Sequence, residues 1–397
     1  MRVGIYGGTF NPPHTGHESS AKIAVAQLKL DTLAVIPVGV PPHKPMPLGS
    51  PPAEIRLIMA RNSFDDLPNT IISDIEAKNA NPCYTIDTVE AIKKLYPKAE
   101  IFLLMGTDMY LSIETWKSYK SLLENVTPTV FSRNYDDIQK IEEHSRHIYK
   151  HYGANTEIVE NKIVPVSSSC LRENLPNREG KRYINDTNYS YIIKNRFYNA
   201  KPDWQWLREK AYSMLTPKRI PHVAACEKAA VELAKRWGVD IDDARESAIL
   251  HDITKKFTFE EHVKTLEDNG ISVLNITKAD EKLLHCHTGA VLAGAIFGAS
   301  KSVQEAIRWH TTGKAGMSPL AKVLYLADYI EDTRDFPEVD KLRNLAFLSI
   351  DDAMLMGLDM TASELRARGI TPDKATLDAI SDIKLSVGAT RKTDNTV

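Results

Sequence analysis

Paired cysteines, excess charge of either sign and long apolar runs are all missing from this chain. Its four cysteines, Cys83, Cys170, Cys226 and Cys286, include no C-x-x-C pair. They read as free thiols of a reducing compartment. The 50 basic and 52 acidic side chains leave a net charge of −2. That balance argues against broad, nonspecific nucleic-acid binding but allows a local basic pocket. There is no apolar run of about 18 residues and no basic leader ahead of an apolar stretch, so neither a membrane span nor a secretion signal is expected. Internal repeats and low-complexity tracts are also absent. The expectation is a soluble cytoplasmic protein with no nucleic-acid or membrane partner. Its oligomeric state is open, a homo-oligomer included. What is present is material for cores: 397 residues at 43% hydrophobic content suffice for two ordinary domains.

The first 17 residues are the most informative stretch. Val3 to Tyr6 has the β-branched and aromatic character of a buried strand. Gly7 and Gly8 then allow a sharp turn and a close approach of backbone to ligand. Thr15 and Glu18 have capping-box spacing, and Ala21, Ala24, Val25 and Leu28 share one helical face beyond them. His14 and His17 therefore fall where a strand passes into a helix N-terminus, which offers N–H groups and a positive dipole end to phosphate. A lone loop histidine is ordinarily just solvated. Here the pattern Gly-x-Phe-x-Pro-x-His-x-Gly-His occupies Gly8, Phe10, Pro12, His14, Gly16 and His17. Two imidazoles donating to a phosphoryl group suit an in-line phosphoryl or nucleotidyl transfer.

Strand and helix patterns alternate from there to about residue 200. Strands are expected at 33–36, 71–72, 101–105, 129–132 and 163–166, with helices at 53–64, 85–95, 136–152 and 189–198. This alternation predicts an α/β doubly wound parallel sheet with ligands at the carboxyl ends of its strands. Polar residues follow the apolar runs at the right places: Lys44 among prolines after the second strand, Gly106 and Asp108 after the central one, and Ser167 to Arg172 after the last. Serine hydroxyls at a helix start with an arginine one turn on can cradle a triphosphate.

Gly8, Thr9, Phe10, Pro12, His14, Gly16 and His17 resemble the signature of the HxGH nucleotidyltransferase superfamily, with Asn11 where many bacterial members carry Asp. Ser167 to Arg172 resembles its second signature, Ile-Ser-Ser-Thr-x-x-Arg. Lys44, Tyr84, Thr85, Gly106, Asp108, Trp116 and Arg133 further resemble bacterial nicotinate-nucleotide adenylyltransferases, a resemblance over roughly residues 1–198 within an expected first domain of 1–200. The resemblance implies a Rossmann-like fold and transfer of AMP from ATP, with Mg2+, to nicotinate mononucleotide. It implies that His14 and His17 stabilise the α-phosphate transition state and that Ser168 and Arg172 hold the triphosphate. Trp116 would stack on the pyridine ring. Many relatives carry Pro-Gly after the arginine; here Asn134 and Tyr135 follow Arg133. NMN and phosphopantetheine remain alternative acceptors.

Residues 199–203 are short, polar and proline-containing, and they mark the expected boundary. Beyond them helical periodicity takes over, so residues 204–390 are expected to form an all-α domain. His222, the adjacent pair His251 and Asp252, and Asp328 each border apolar helix. Imidazoles and carboxylates in this order suit Fe, Mn or Zn. The set resembles the HD superfamily of metal-dependent phosphohydrolases. Within it, Leu250 to Lys256, His287, Ile307 to Gly313 and Leu326 to Pro337 resemble the bacterial symmetrical bis(5′-nucleosyl)-tetraphosphatases. That resemblance implies a metal, iron above all, held by His222, His251, Asp252 and Asp328, and cleavage of diadenosine tetraphosphate into two ADP. His287 and His310 would contact phosphates or a second metal, while Lys255 and Arg334 would offset polyphosphate charge. The alternative is a nucleotide-sensing module that binds without turnover.

Overall fold

The computed structural model describes residues 1–42, 45–79, 81–132, 137–160, 163–274 and 281–394, with side chains to 387. Lys44 and Arg133 lie outside the described residues. The chain divides into two compact units, Met1–Lys201 and Pro202–Val397.

The first unit is built on six strands: β1 (Arg2–Gly8), β2 (Thr32–Pro37), β3 (Thr70–Ile72), β4 (Glu100–Gly106), β5 (Thr127–Phe131) and β6 (Glu157–Val159). Their order is β3-β2-β1-β4-β5-β6, and every pairing is parallel. The helices between them are α1 (Thr15–Gln27), α2 (Ala53–Phe64), α3 (Thr85–Leu95), α4 (Thr107–Leu111), α5 (Tyr119–Asn125) and α6 (Asp137–Tyr152). After the sheet come α7 (Ser168–Asn174) and α8 (Asp186–Asn195). A parallel sheet needs cover on both faces, and two apolar clusters provide it. Ile5, Ile36, Leu103 and Val130 belong to one; Tyr6, Val35, Leu104 and Phe131 belong to the other. Successive strand residues thus alternate between two cores. The strand order reverses between β1 and β4, so the crevice above their carboxyl ends is where a ligand is expected to sit.

Two local expectations change. The last strand is Glu157–Val159, paired as Thr129↔Glu157 to Phe131↔Val159. The 163–166 segment is instead a loop, since Pro165 has no N–H for a ladder. The first helix is capped one residue earlier than the Thr15–Glu18 spacing suggested: His14 is the N-cap and His17 stands at N3.

The second unit is helical throughout its described residues: α9 (Trp204–Ser213), α10 (Ile220–Trp237), α11 (Ile241–Leu250), α12 (Phe259–Asp268) and α13 (Glu281–Phe297). They are followed by α14 (Lys301–Trp309), α15 (Pro319–Ile330), α16 (Val339–Leu348), α17 (Ile350–Ala367) and α18 (Lys374–Asp394). Local chemistry sets many ends. Asp203, Asp240, Ser300, Ser318 and Ser349 cap their helices through side-chain oxygens. Gly238 closes α10 at φ 66, a conformation that costs other residues a Cβ clash. Helix α10 packs on both α11 and α15, which brings three chemistry-bearing segments together. None of the described helices is long and apolar enough to cross a membrane.

Candidate active site and metal centre

A cavity of about 1120 Å³ opens above the carboxyl ends of β1 and β4. Gly8, Thr9, His14, His17, Thr85, Gly106, Asp108, Trp116, Ser168 and Arg172 all line it. Phe10 does not; it is 1% exposed beneath the turn, with φ 44, and packs edge-on against His17 at 5.2 Å.

His14 is buried and His17 half-buried, with ring centroids 3.8 Å apart. The His14 backbone N–H donates to Nδ1 of His17 at 3.3 Å. With Nδ1 accepting, a neutral His17 carries its proton on Nε2 and can donate it to a ligand. A Cβ at Gly16 would lie 3.0 Å from His14 Nδ1, so any other residue there would push on the His14 ring.

Ser168 and Arg172 are brought to this turn, where they line the cavity and also bond the loop backbone. Ser168 Oγ donates to Pro12 O at 2.9 Å and Arg172 Nη1 to Asn11 O at 2.7 Å. Tyr198 donates to Asn11 Oδ1 at 2.8 Å. Helix α7 and Tyr198 therefore hold the signature loop in shape. Trp116 is half-buried against the core and still faces the cavity. Beside it Lys117 Nζ sits 4.1 Å from the centre of the Tyr84 ring.

Sequence reading missed two buried groups around this cavity. Arg56, 1% exposed, donates to Thr9 O at 2.8 Å and to Gly39 O at 3.0 Å. It joins the signature turn to the loop after β2, and burial lowers its pKa. Its signal was a single cation inside the apolar run from Ile55 to Met59. Glu76, which lines the cavity, accepts from Thr88 Oγ1 at 2.6 Å, and burial pushes its carboxyl pKa up.

In the second unit, the turn that ends α11 presents His251 and Asp252 to His222 of α10 and Asp328 of α15. His222 Nε2 lies 3.3 Å from His251 Nε2 and 3.1 Å from Asp328 Oδ1. Asp252 Oδ2 lies 3.4 Å from His251 Nε2 and 3.8 Å from His222 Nε2. Each Nδ1 has an acceptor: His222 has Glu331 Oε1 at 3.0 Å and His251 has Ala248 O at 2.7 Å. With each Nδ1 hydrogen so engaged, the two Nε2 atoms face each other, an arrangement that only a cation or a shared proton makes favourable. Two carboxylates complete a donor set suited to a divalent first-row metal.

A second pair repeats the pattern. His285 Nε2 and His310 Nε2 are 3.3 Å apart, with Nδ1 contacts to Lys282 O at 2.8 Å and Ile307 O at 2.6 Å. Asp252 Oδ1 faces them at 3.4 and 3.8 Å and, though buried, has no hydrogen-bond partner among the described residues. Burial and the nearby Lys255 ammonium push His285 down to about 4, so it is neutral at pH 7. For Asp252 and Asp328, burial opposes ionisation, yet neighbouring histidines, with Lys255 and Arg334 respectively, hold both well below the usual carboxylate range. Lys255 Nζ is 2.8 Å from His285 Nε2, Arg219 grips Asp252 Oδ2, and Arg334 reaches Asp328 Oδ1 at 2.7 Å.

His287 is not brought into this centre. It packs on Trp309 at 6.2 Å between ring centroids, while His285 takes the place expected of it. Two residues along a helix amount to about 200° of rotation, so the two histidines point to different sides. Arg219, Glu331 and His285 were all missed from sequence.

Comparison with known proteins separates the same two segments. Residues 5–174 match the cytidylyltransferase-like family model and residues 219–333 the HD domain model. The chain is 32% identical over 198 residues to a probable nicotinate-nucleotide adenylyltransferase of Carboxydothermus hydrogenoformans, covering 50% of this chain and 98% of that one. It is 27% identical over 370 residues to a Mycoplasma genitalium protein named as a probable nicotinate-nucleotide adenylyltransferase/Ap4A hydrolase, covering 90% of this chain and 97% of that one. A Clostridium acetobutylicum structure, titled as a predicted HD superfamily hydrolase involved in NAD metabolism, is 30% identical. It matches 47% of this chain and all of its own, with a TM-score of 0.45. The chain belongs to the nicotinate-nucleotide adenylyltransferase family and carries a helical HD domain in its second unit.

Proposed function

We propose that the first unit transfers AMP from ATP to nicotinate mononucleotide, giving deamido-NAD and pyrophosphate. The observation that carries this reading is the His14–His17 pair at the β1/β4 crevice, with the His17 proton directed to Nε2. An oxygen of the acceptor's phosphate attacks the α-phosphorus of ATP, the bond to the bridging oxygen breaks, and pyrophosphate leaves. No covalent enzyme intermediate is needed, since the acceptor is itself the nucleophile. His14 and His17 stabilise charge on the α-phosphoryl oxygens in the transition state. Mg2+ arrives with ATP and neutralises its polyphosphate. Trp116 offers a face to the pyridine ring, and Thr85 with Asp108 lines the same cavity. Arg172 bonds Asn11 O through Nη1 and keeps further N–H groups for the triphosphate, so it both shapes the loop and faces the cavity.

The second unit, in the same proposal, hydrolyses diadenosine tetraphosphate to two ADP. A cation such as iron, manganese or zinc would be held by His222, His251, Asp252 and Asp328, and would supply Lewis acidity and acidify a nucleophilic water. Glu331 orients His222, and Arg334 orients Asp328. Lys255 and Arg219 stand where polyphosphate charge must be offset. His310 and His285 serve a second cation position rather than a direct phosphate contact.

Single-turnover assays with nicotinate mononucleotide, NMN and phosphopantetheine test the first half. Faster transfer to phosphopantetheine would overturn it. Diadenosine tetraphosphate incubated with the iron- or manganese-loaded full chain tests the second. Binding without ADP release would identify a sensor instead.

A further inference from the structure

Cys286 follows directly on His285 and is 2% exposed. Its Sγ lies 3.5 Å from His285 Nε2 and 3.0 Å from Thr311 Oγ1. Donor atoms of Cys286, His285 and His310 all fall within 4.8 Å of one another. A buried cysteine alone is ordinarily just a small apolar residue. Here the neighbouring Asp252 Oδ1 is fully buried, has no hydrogen-bond partner among the described residues, and is aimed at the same two imidazoles. The sulfur and the carboxylate oxygen thus each approach the same pair of imidazoles.

We propose that Cys286 is a sulfur ligand to a second divalent cation, held also by His285, His310 and Asp252 Oδ1. The inference rests on reading the second unit as a metal-dependent phosphohydrolase. It makes the two cation positions chemically different. His222, His251, Asp252 Oδ2 and Asp328 offer two nitrogens and two oxygens, whereas the second position offers two nitrogens, one oxygen and one sulfur. The softer set favours zinc, cobalt or iron over manganese. Coordination replaces the S–H bond by a metal–sulfur bond and releases the proton to solvent. Thr311 Oγ1, now an acceptor from the thiol, then turns its own hydrogen to the sulfur. Lys255, partly exposed, withdraws from His285 Nε2 toward solvent or substrate phosphate.

The test uses the full chain with the more accessible Cys83 and Cys170 replaced by serine. The protein is stripped with a chelator and titrated anaerobically with Co2+, reading bound cobalt and absorbance together. The expected result is two equivalents bound, one of them raising a sulfur-to-cobalt charge-transfer band in the near ultraviolet. Both C286S and C286A lose that band and weaken one equivalent. Cobalt binding without the band, or a band that persists in C286S and C286A, overturns the proposal. The parental spectrum decides by itself if the band is absent, so a poorly folded variant does not block that outcome. If D252A binds cobalt as fully as its parent, the metal-centre reading fails, and the sulfur ligand with it.

Discussion

The backbone N–H of His14 donates to Nδ1 of His17, so the helix start itself selects which nitrogen of His17 faces the ligand. The imidazole is ready to donate from Nε2 before substrate arrives. Replacing His17 by alanine removes one preorganised donor. The turnover number for deamido-NAD formation should fall by about 10²–10³-fold with little change in KM for ATP. A coupled pyrophosphate assay measures this. Hydrolysis of diadenosine tetraphosphate by the same variant should be unaffected.

The converse variant is Asp252→Ala. Its carboxylate faces both histidine pairs, so its loss should abolish phosphohydrolase activity and spare adenylyl transfer. Metal removal should act the same way. After treatment with a chelator, Mg2+ alone should restore transfer, while hydrolysis should return only with iron, manganese or zinc. Loss of both reactions in Asp252→Ala would contradict independent sites.

Arg56 is the third target. Arg56→Leu would leave Thr9 O and Gly39 O without their buried donor, a loss of about 2–3 kcal/mol. Thermal melting of the first unit should drop by roughly 5–10 °C. KM for ATP should rise, because Thr9 belongs to the turn proposed to receive the phosphates. Arg56→Lys keeps a charge but not both bonds and should fall between the two.

Glu76 gives a pH prediction. Burial raises its pKa above the ordinary 4.5, so the folded state holds its proton more tightly than the unfolded state does. Stability is then lost as pH rises through and above 4.5, and the penalty is complete above the folded pKa. Glu76→Gln keeps an acceptor for Thr88 and removes the charge. The variant should be the more stable protein at pH 7 in urea unfolding. The difference should vanish below the ordinary carboxyl pKa.

Much of the molecule is legible without coordinates, for identifiable reasons. Ile101 to Met105 is apolar throughout because a central parallel strand is buried on both faces. The signature turn is legible because glycine and histidine are needed at fixed steps along a single loop. The histidine, histidine–aspartate and aspartate of the candidate metal centre are legible because each borders an apolar helix. Less local choices are not. The 163–166 run is apolar enough for a strand, but the edge of β5 is taken by Glu157–Val159. Between His285 and His287, two histidines in one helix, only the rotational setting of α13 against α14 chooses.

Chain chemistry alone therefore settles which local turns are possible: two glycines before a histidine pair, an aspartate after a histidine at a helix end. Those depend on neighbours within a few residues, where backbone geometry is nearly fixed by residue type. Folding settles the partners. It sets Arg56 beneath the signature turn, bonds Ser168 and Arg172 to the loop backbone, and gathers His222, His251, Asp252 and Asp328 from three separate segments. Burial then does what no motif can show: it removes water from Asp252 and four imidazoles, so that their mutual geometry calls for a cation.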